Sequence, residues 1–224
     1  MGIPKKYKAD FVENEIYHVY NKTNNKELLF INDADRILFL KKFDRYTSAF
    51  LEPFSWNLLL NHFHTYVRVK SFENITNFLK GVPTENLCLT ERKFLKGEVT
   101  IHKLIDNVFK RLFISYTICF NKCHKRKGNL FHRPFKHVLT EKESQFSQTI
   151  IYINANAVKH GLVTRIEDYK WSSYFNLISD DHENLLKQEV LDWFGGKKQF
   201  IKMLKEKTEY YHSCESSMED DSED

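Results

Sequence analysis

The chain has 224 residues, 42% of them hydrophobic and including 19 Phe and 11 Tyr, which suits one principal folded domain with an appendage and excludes a disordered or fibrous chain. No apolar run approaches the roughly 20 residues of a membrane helix, Met1–Asp10 lacks the apolar stretch of a signal peptide, and Cys88, Cys119, Cys123 and Cys214 are too sparse for a disulfide framework, so the expected setting is cytoplasmic with no membrane partner. Net charge is +4, but the ESSMEDDSED segment carries six acidic residues and leaves about +10 on the remainder, a balance that suits a polyanion such as nucleic acid.

Residues 15–23 (EIYHVYNKT) are rich in β-formers and predict a first strand. Residues 33–50 predict a helix capped by Asn32 or Asp33, with Ile37, Leu38, Leu40, Phe43 and Tyr46 as its buried face, and Pro53 breaks that pattern. Two β-type runs over 54–60 and 62–69 meet near Asn61 as antiparallel neighbours, and a short helix follows over 71–80. From Gly81 to Thr100 the periodicity fades, which predicts an irregular insertion.

A strong helical stripe returns at 101–121 through Leu104, Ile105, Val108, Phe109, Leu112, Tyr116 and Phe120. The segment 121–137 (NKCHKRKGNLFHRPFKH) is a turn with six Lys/Arg and no acidic residue, leading into a short strand near 135–140. A helix over 141–160 ends at Gly161. Residues 185–207 add one or two helices broken at Gly195-Gly196, and the acidic end is expected to be disordered. The order strand, helix, strand, strand, helix, strand, helix predicts an α+β fold, an antiparallel sheet with helices packed on one face.

Three groups of residues bear on chemistry. His62 and His64 alternate along a strand, so they project from one face and can share a metal; histidines at this spacing also occur as plain packing residues. Tyr152 and Asn156 lie one helical turn apart. A phenolate is a good phosphorus nucleophile, and an amide oxygen suits a hard cation, although a tyrosine on an amphipathic helix also serves as a core residue with a wet hydroxyl. In the basic turn, Lys125, Arg126, Lys127, Arg133 and Lys136 interleave with Phe131, His132 and Phe135, so cations can follow phosphates while aromatics stack on unpaired bases; a merely solvated turn has the same composition. Cys119, Cys123 and His124 lack a fourth ligand at a zinc-finger spacing.

Taken together, these residues resemble the single-tyrosine HUH transposases, most closely the REP-associated tyrosine transposases. The resemblance runs from about Tyr17 to Phe200. It rests on Asn61-His62-Phe63-His64, then Gly128-Asn129-Leu130-Phe131 with Arg133 and Phe135-Lys136, then Tyr152-Ile153-Asn154-Ala155-Asn156, Gly161-Leu162-Val163, and the segment Asp168-Tyr169-Lys170-Trp171-Ser172-Ser173-Tyr174, whose aromatics are expected to pack. Leu59-Leu60 stand where such proteins usually have Met-Pro, and Ala157 stands where they usually have proline.

The resemblance implies an RRM-like fold with a C-terminal helical extension, divided into a catalytic domain over 1–176, an extension over 177–208 and a tail over 209–224. It implies cleavage and transfer of single-stranded DNA beside hairpins through a 5′-phosphotyrosine. His62, His64 and Asn156 would then be ligands for magnesium or manganese and Tyr152 the nucleophile; the sequence does not disclose whether the chain is a monomer or a homodimer. The competing expectation is a non-catalytic module that only holds a nucleic-acid hairpin.

Overall fold

Alternation of apolar and polar residues sets both faces of the sheet. In a computed structural model describing residues 9–179 and 185–213, β1 (Ile16–Lys22), β2 (Leu51–Leu58), β3 (His62–Val69) and β4 (Lys136–Leu139) form an antiparallel sheet in the order β2-β3-β1-β4. Successive strand side chains point to opposite faces. On β3 this sends Phe63, Val67 and Val69 into one core and Tyr66 into another.

The first core lies under α1 (Asp33–Thr47) and α4 (Ile101–Cys123), where the Phe63 ring sits 4.8 Å from Phe39 and 5.8 Å from Phe113. The second lies under α5 (Glu143–Lys159), whose Phe146 ring is 5.5 Å from Tyr66 and 5.0 Å from Phe54. The expected α+β antiparallel fold is therefore present. Its α1–α4 layer covers one face as anticipated, and α5 adds a layer on the other.

The predicted C-terminal helices are α7 (Lys187–Trp193) and α8 (Lys197–Ser213). They are separated at Gly195 and Gly196, whose φ values of 73° and 109° lie in the region that favours glycine. Phe200 and Leu204 of α8 join the core beneath α5, so this extension packs on the helix that carries Tyr152. Residues 214–224, including most of the expected acidic tail, fall outside the described residues.

Several local expectations are corrected. The buried row of α1 is Asp35, Arg36, Phe39, Phe43 and Thr47, while Ile37 is exposed. The capping box of Asn32 with Asp35 and a charged side chain in the row rotate the helix away from the all-apolar stripe. Pro53 lies inside β2 rather than before it, tolerated because β2 is an edge strand with a register shift between Pro53 and Ser55. The insertion over 81–100 contains α3 (Leu89–Leu95), started by the Glu91 carboxylate accepting the Cys88 N–H at 2.6 Å. A short α2 (Phe72–Lys80) precedes it, and α6 (Tyr174–Ile178) precedes α7.

Candidate active site

His62 and His64 lie on the face of β3 that looks toward α5, with ring centroids 5.1 Å apart. The Tyr152 ring meets the His64 ring edge-on at 5.7 Å. Asn156 follows one turn later and is completely buried. Thus three of the four residues expected to carry the chemistry, drawn from one strand and one distant helix, meet between sheet and helix, and Asn156 lies one turn along that helix from Tyr152.

The helix is locked in that register by buried polar bonds. Asn57 Nδ2 on β2 donates to Ile153 O at 2.7 Å. Asn154 Nδ2 donates to Ser55 Oγ at 2.9 Å, and Asn154 Oδ1 accepts from Ser173 Oγ at 3.0 Å. Ser173 Oγ also accepts the Trp56 N–H. Buried polar groups are costly unless paired, so these bonds select one axial position for α5. Tyr169, Trp171 and Tyr174 do pack as expected: Tyr169 donates to Leu58 O at 2.6 Å, and Tyr174 is buried in the second core.

Against this satisfied background, a few buried atoms have no hydrogen-bond partner. Among them are His64 Nε2 and both amide atoms of Asn156, with Asn57 Oδ1 nearby on the strand residue paired with His64. His62 Nδ1 is 2.7 Å from Asn61 Oδ1, and His64 Nδ1 is 2.9 Å from His18 Nε2. Each imidazole is therefore held through Nδ1. Desolvation lowers His62 to about 3, helped by the His160 and Lys22 charges, and lowers His18 to about 4. His64 is lowered well below the ordinary histidine value, again first by desolvation and then by neighbouring His and Lys charges. All three are neutral near pH 7, the form that ligates a cation.

That donor set fits a hard divalent ion in one specific respect: an imidazole nitrogen on β3 and an amide oxygen on the covering helix α5 are each buried without a partner, and an ion between sheet and helix would satisfy both. Among the described residues no three His, Cys, Asp or Glu side chains group as a metal site. His124, one of the zinc-like candidates, is instead 2.8 Å from Asp35 Oδ1.

The basic turn divides in two. Lys125, Lys127 and Arg133 are exposed. Arg126 is engaged, its Nε donating to Glu27 Oε2 at 2.6 Å, Nη1 to Asn121 Oδ1 at 3.0 Å and Nη2 to Asn129 O at 2.8 Å; it closes the turn on itself. Lys136 occupies a different place. Strand pairing sets Asn57, His64, Tyr20 and Lys136 in one row across all four strands, with Lys136 Nζ 5.9 Å from the Tyr20 ring.

Five residues of this neighbourhood were missed by sequence reasoning. His18 and Tyr20 were discoverable as alternating positions of the first strand, and His160 as the next turn after Asn156, its ring 5.2 Å from His62. Lys159 Nζ lies 5.3 Å from the Tyr152 ring centroid, and Asn57 enters through tertiary packing that no local pattern encodes.

No protein-family model matches the chain, and no curated protein is significantly similar to it. Among solved structures, the chain is similar to a REP-associated tyrosine transposase bound to a REP hairpin, at 14% identity and a TM-score of 0.48, over 87% of this chain and 98% of that one. A likeness at that distance carries no assignment.

Proposed function

We propose that this protein cleaves and rejoins single-stranded DNA beside hairpins, with Tyr152 as the nucleophile. The observation that supports the reading is the meeting of Tyr152 with His62 and His64, Asn156 lying one turn along the same helix, with His64 Nε2 and the Asn156 amide buried without partners. His62, His64 and Asn156 would hold a magnesium or manganese ion. Bound there, such an ion supplies charge withdrawal from a phosphate oxygen.

The chain's own groups do the rest. Tyr152 Oη attacks phosphorus as the bond to the 3′-oxygen breaks; the phenol proton is lost and the departing 3′-oxygen gains one, leaving a 5′-phosphotyrosine and a free 3′-hydroxyl. A second 3′-hydroxyl reverses the step, since the phosphotyrosine keeps the energy of the phosphodiester. Lys136 and Tyr20, in the same sheet row as His64, extend the site along the sheet and suit a phosphate and a base. Lys125, Lys127 and Arg133 offer further phosphate contacts from the turn.

The test is a single-stranded hairpin oligonucleotide incubated with manganese and the protein. Wild type is expected to form a covalent adduct whose peptide maps to Tyr152, and Tyr152→Phe is expected to form none while keeping hairpin affinity within about twofold. Hairpin binding with no adduct in either protein would identify a binding module instead. Cleavage without adduct would identify water as the nucleophile.

A further inference from the structure

We propose that His18 is a positioning residue that fixes the tautomer of His64 and so turns the Nε2 lone pair of His64 into the site; this rests on the metal-dependent reading above. His18 on β1 and His64 on β3 occupy the same sheet face, at diagonal positions of the β1–β3 ladder. Their rings lie 5.1 Å apart at 23°, and His18 Nε2 is 2.9 Å from His64 Nδ1.

A bond between two neutral imidazoles needs one N–H and one lone pair, so only two arrangements exist. If His18 donates, His64 carries its hydrogen on Nε2, and that N–H is buried with no acceptor. If His64 donates from Nδ1, its Nε2 is left as a bare, buried lone pair on the sheet face that α5 covers, the helix that also carries the unpartnered Asn156 amide. The second arrangement is the one a cation completes.

His62 reaches the same state by a different route. Its Nδ1 faces Asn61 Oδ1 at 2.7 Å, and an amide oxygen only accepts, which leaves the lone pair on Nε2. For His64 the partner is a ring nitrogen that can play either role, so His18 decides the outcome. Outer partners of ligating histidines act in this way, and losing one typically weakens metal affinity by about 10–100-fold.

The experiment reads the tautomer directly. Long-range proton–nitrogen correlation spectra of the metal-free, nitrogen-15-labelled protein at pH 7.5 are expected to show His64 protonated on Nδ1 and bare on Nε2. His18→Phe keeps a ring but removes the acceptor; His64 should shift toward the Nε2–H form, and calorimetric manganese affinity should fall about tenfold or more. His18→Gln restores an acceptor oxygen and should recover both readouts, and it remains informative should His18→Phe fail to fold.

An Nε2–H form of His64 in the wild type, or an unchanged tautomer and manganese affinity in His18→Phe, overturns the proposal. So does a His18→Gln protein that behaves like His18→Phe. Should the wild type bind no manganese while the tautomer still follows His18, the metal-dependent reading fails and the control of His64 by His18 stands.

Discussion

Arg126 and its neighbours Lys125 and Lys127 read alike in the sequence, yet they have different work. The Arg126 guanidinium ties Glu27, Asn121, Gly128 and Asn129 together, and a partly exposed pair of this kind contributes roughly 1–2 kcal/mol through its charge-assisted bonds. Arg126→Gln should therefore lower the melting temperature by a few degrees, read by circular dichroism, with a small loss of DNA affinity. Neutralising Lys125, Lys127 and Arg133 should do the opposite: stability holds, while the slope of log affinity against log salt falls by about 0.7 for each lost phosphate contact on a single strand. An unchanged slope in the triple variant would mean that the turn only solubilises the protein. Charge content identified this turn as basic. Which of its cations is free depends on Glu27, 99 positions away, and no local pattern reports that.

Among the elements, α5 is where sequence and structure agree most closely. Its bounds, its final Gly161 and the placing of Tyr152 and Asn156 on one side all follow from helical spacing and a C-terminal glycine. Hidden from that reading was its attachment: Asn154 and Ser173 face each other across 19 positions in a polar seam with Ser55. Asn154→Ala and Ser173→Ala each strand buried partners and should destabilise the fold by about 1–3 kcal/mol, measured as a lower urea midpoint. If instead both variants unfold like wild type, the seam does not hold the helix. The misplaced start of β2 and the rotated face of α1 have related causes. An edge strand tolerates Pro53, and the buried face of α1 includes Asp35 and Arg36, so hydrophobic periodicity alone misjudges both. The α3 helix is short enough that its cap, the Glu91 carboxylate on Cys88 N–H, outweighs any stripe.

For the molecule as a whole, one sheet serves two cores, and its histidines titrate as a set. His18, His62, His64 and His137 all have folded-state pKa values below the ordinary 6.5, each chiefly by desolvation. Above pH 6.5 they are neutral folded and unfolded alike, and stability is full. As pH falls below 6.5 the unfolded chain binds protons that the folded chain resists, so stability is lost progressively toward the folded values, about 4 for His18 and about 3 for His62. Urea midpoints should therefore fall between pH 7 and pH 5, by about 2 kcal/mol in free energy for each histidine whose folded value lies well below 5. His137, stacked 4.3 Å from Phe11 and 2.8 Å from Ala9 O, lies away from the candidate site. His137→Gln should flatten part of this acid limb, and a curve identical to wild type would remove it from the set.

The layer formed by α5 also makes two of the candidate ligands hard to reach. Asn156 has no exposed surface and His64 only 5%, whereas His132 and His160 stand in solvent. A small acylating reagent such as diethyl pyrocarbonate should consume His132 and His160 at once and His64 at a slower pace that saturates with reagent concentration, because the ceiling is set by how often the helix lifts. The same clock would govern the entry of a cation to His64 and Asn156. The length of that wait would be a property of the contacts between α5, β2 and α8, open to tuning without touching His64 or Asn156.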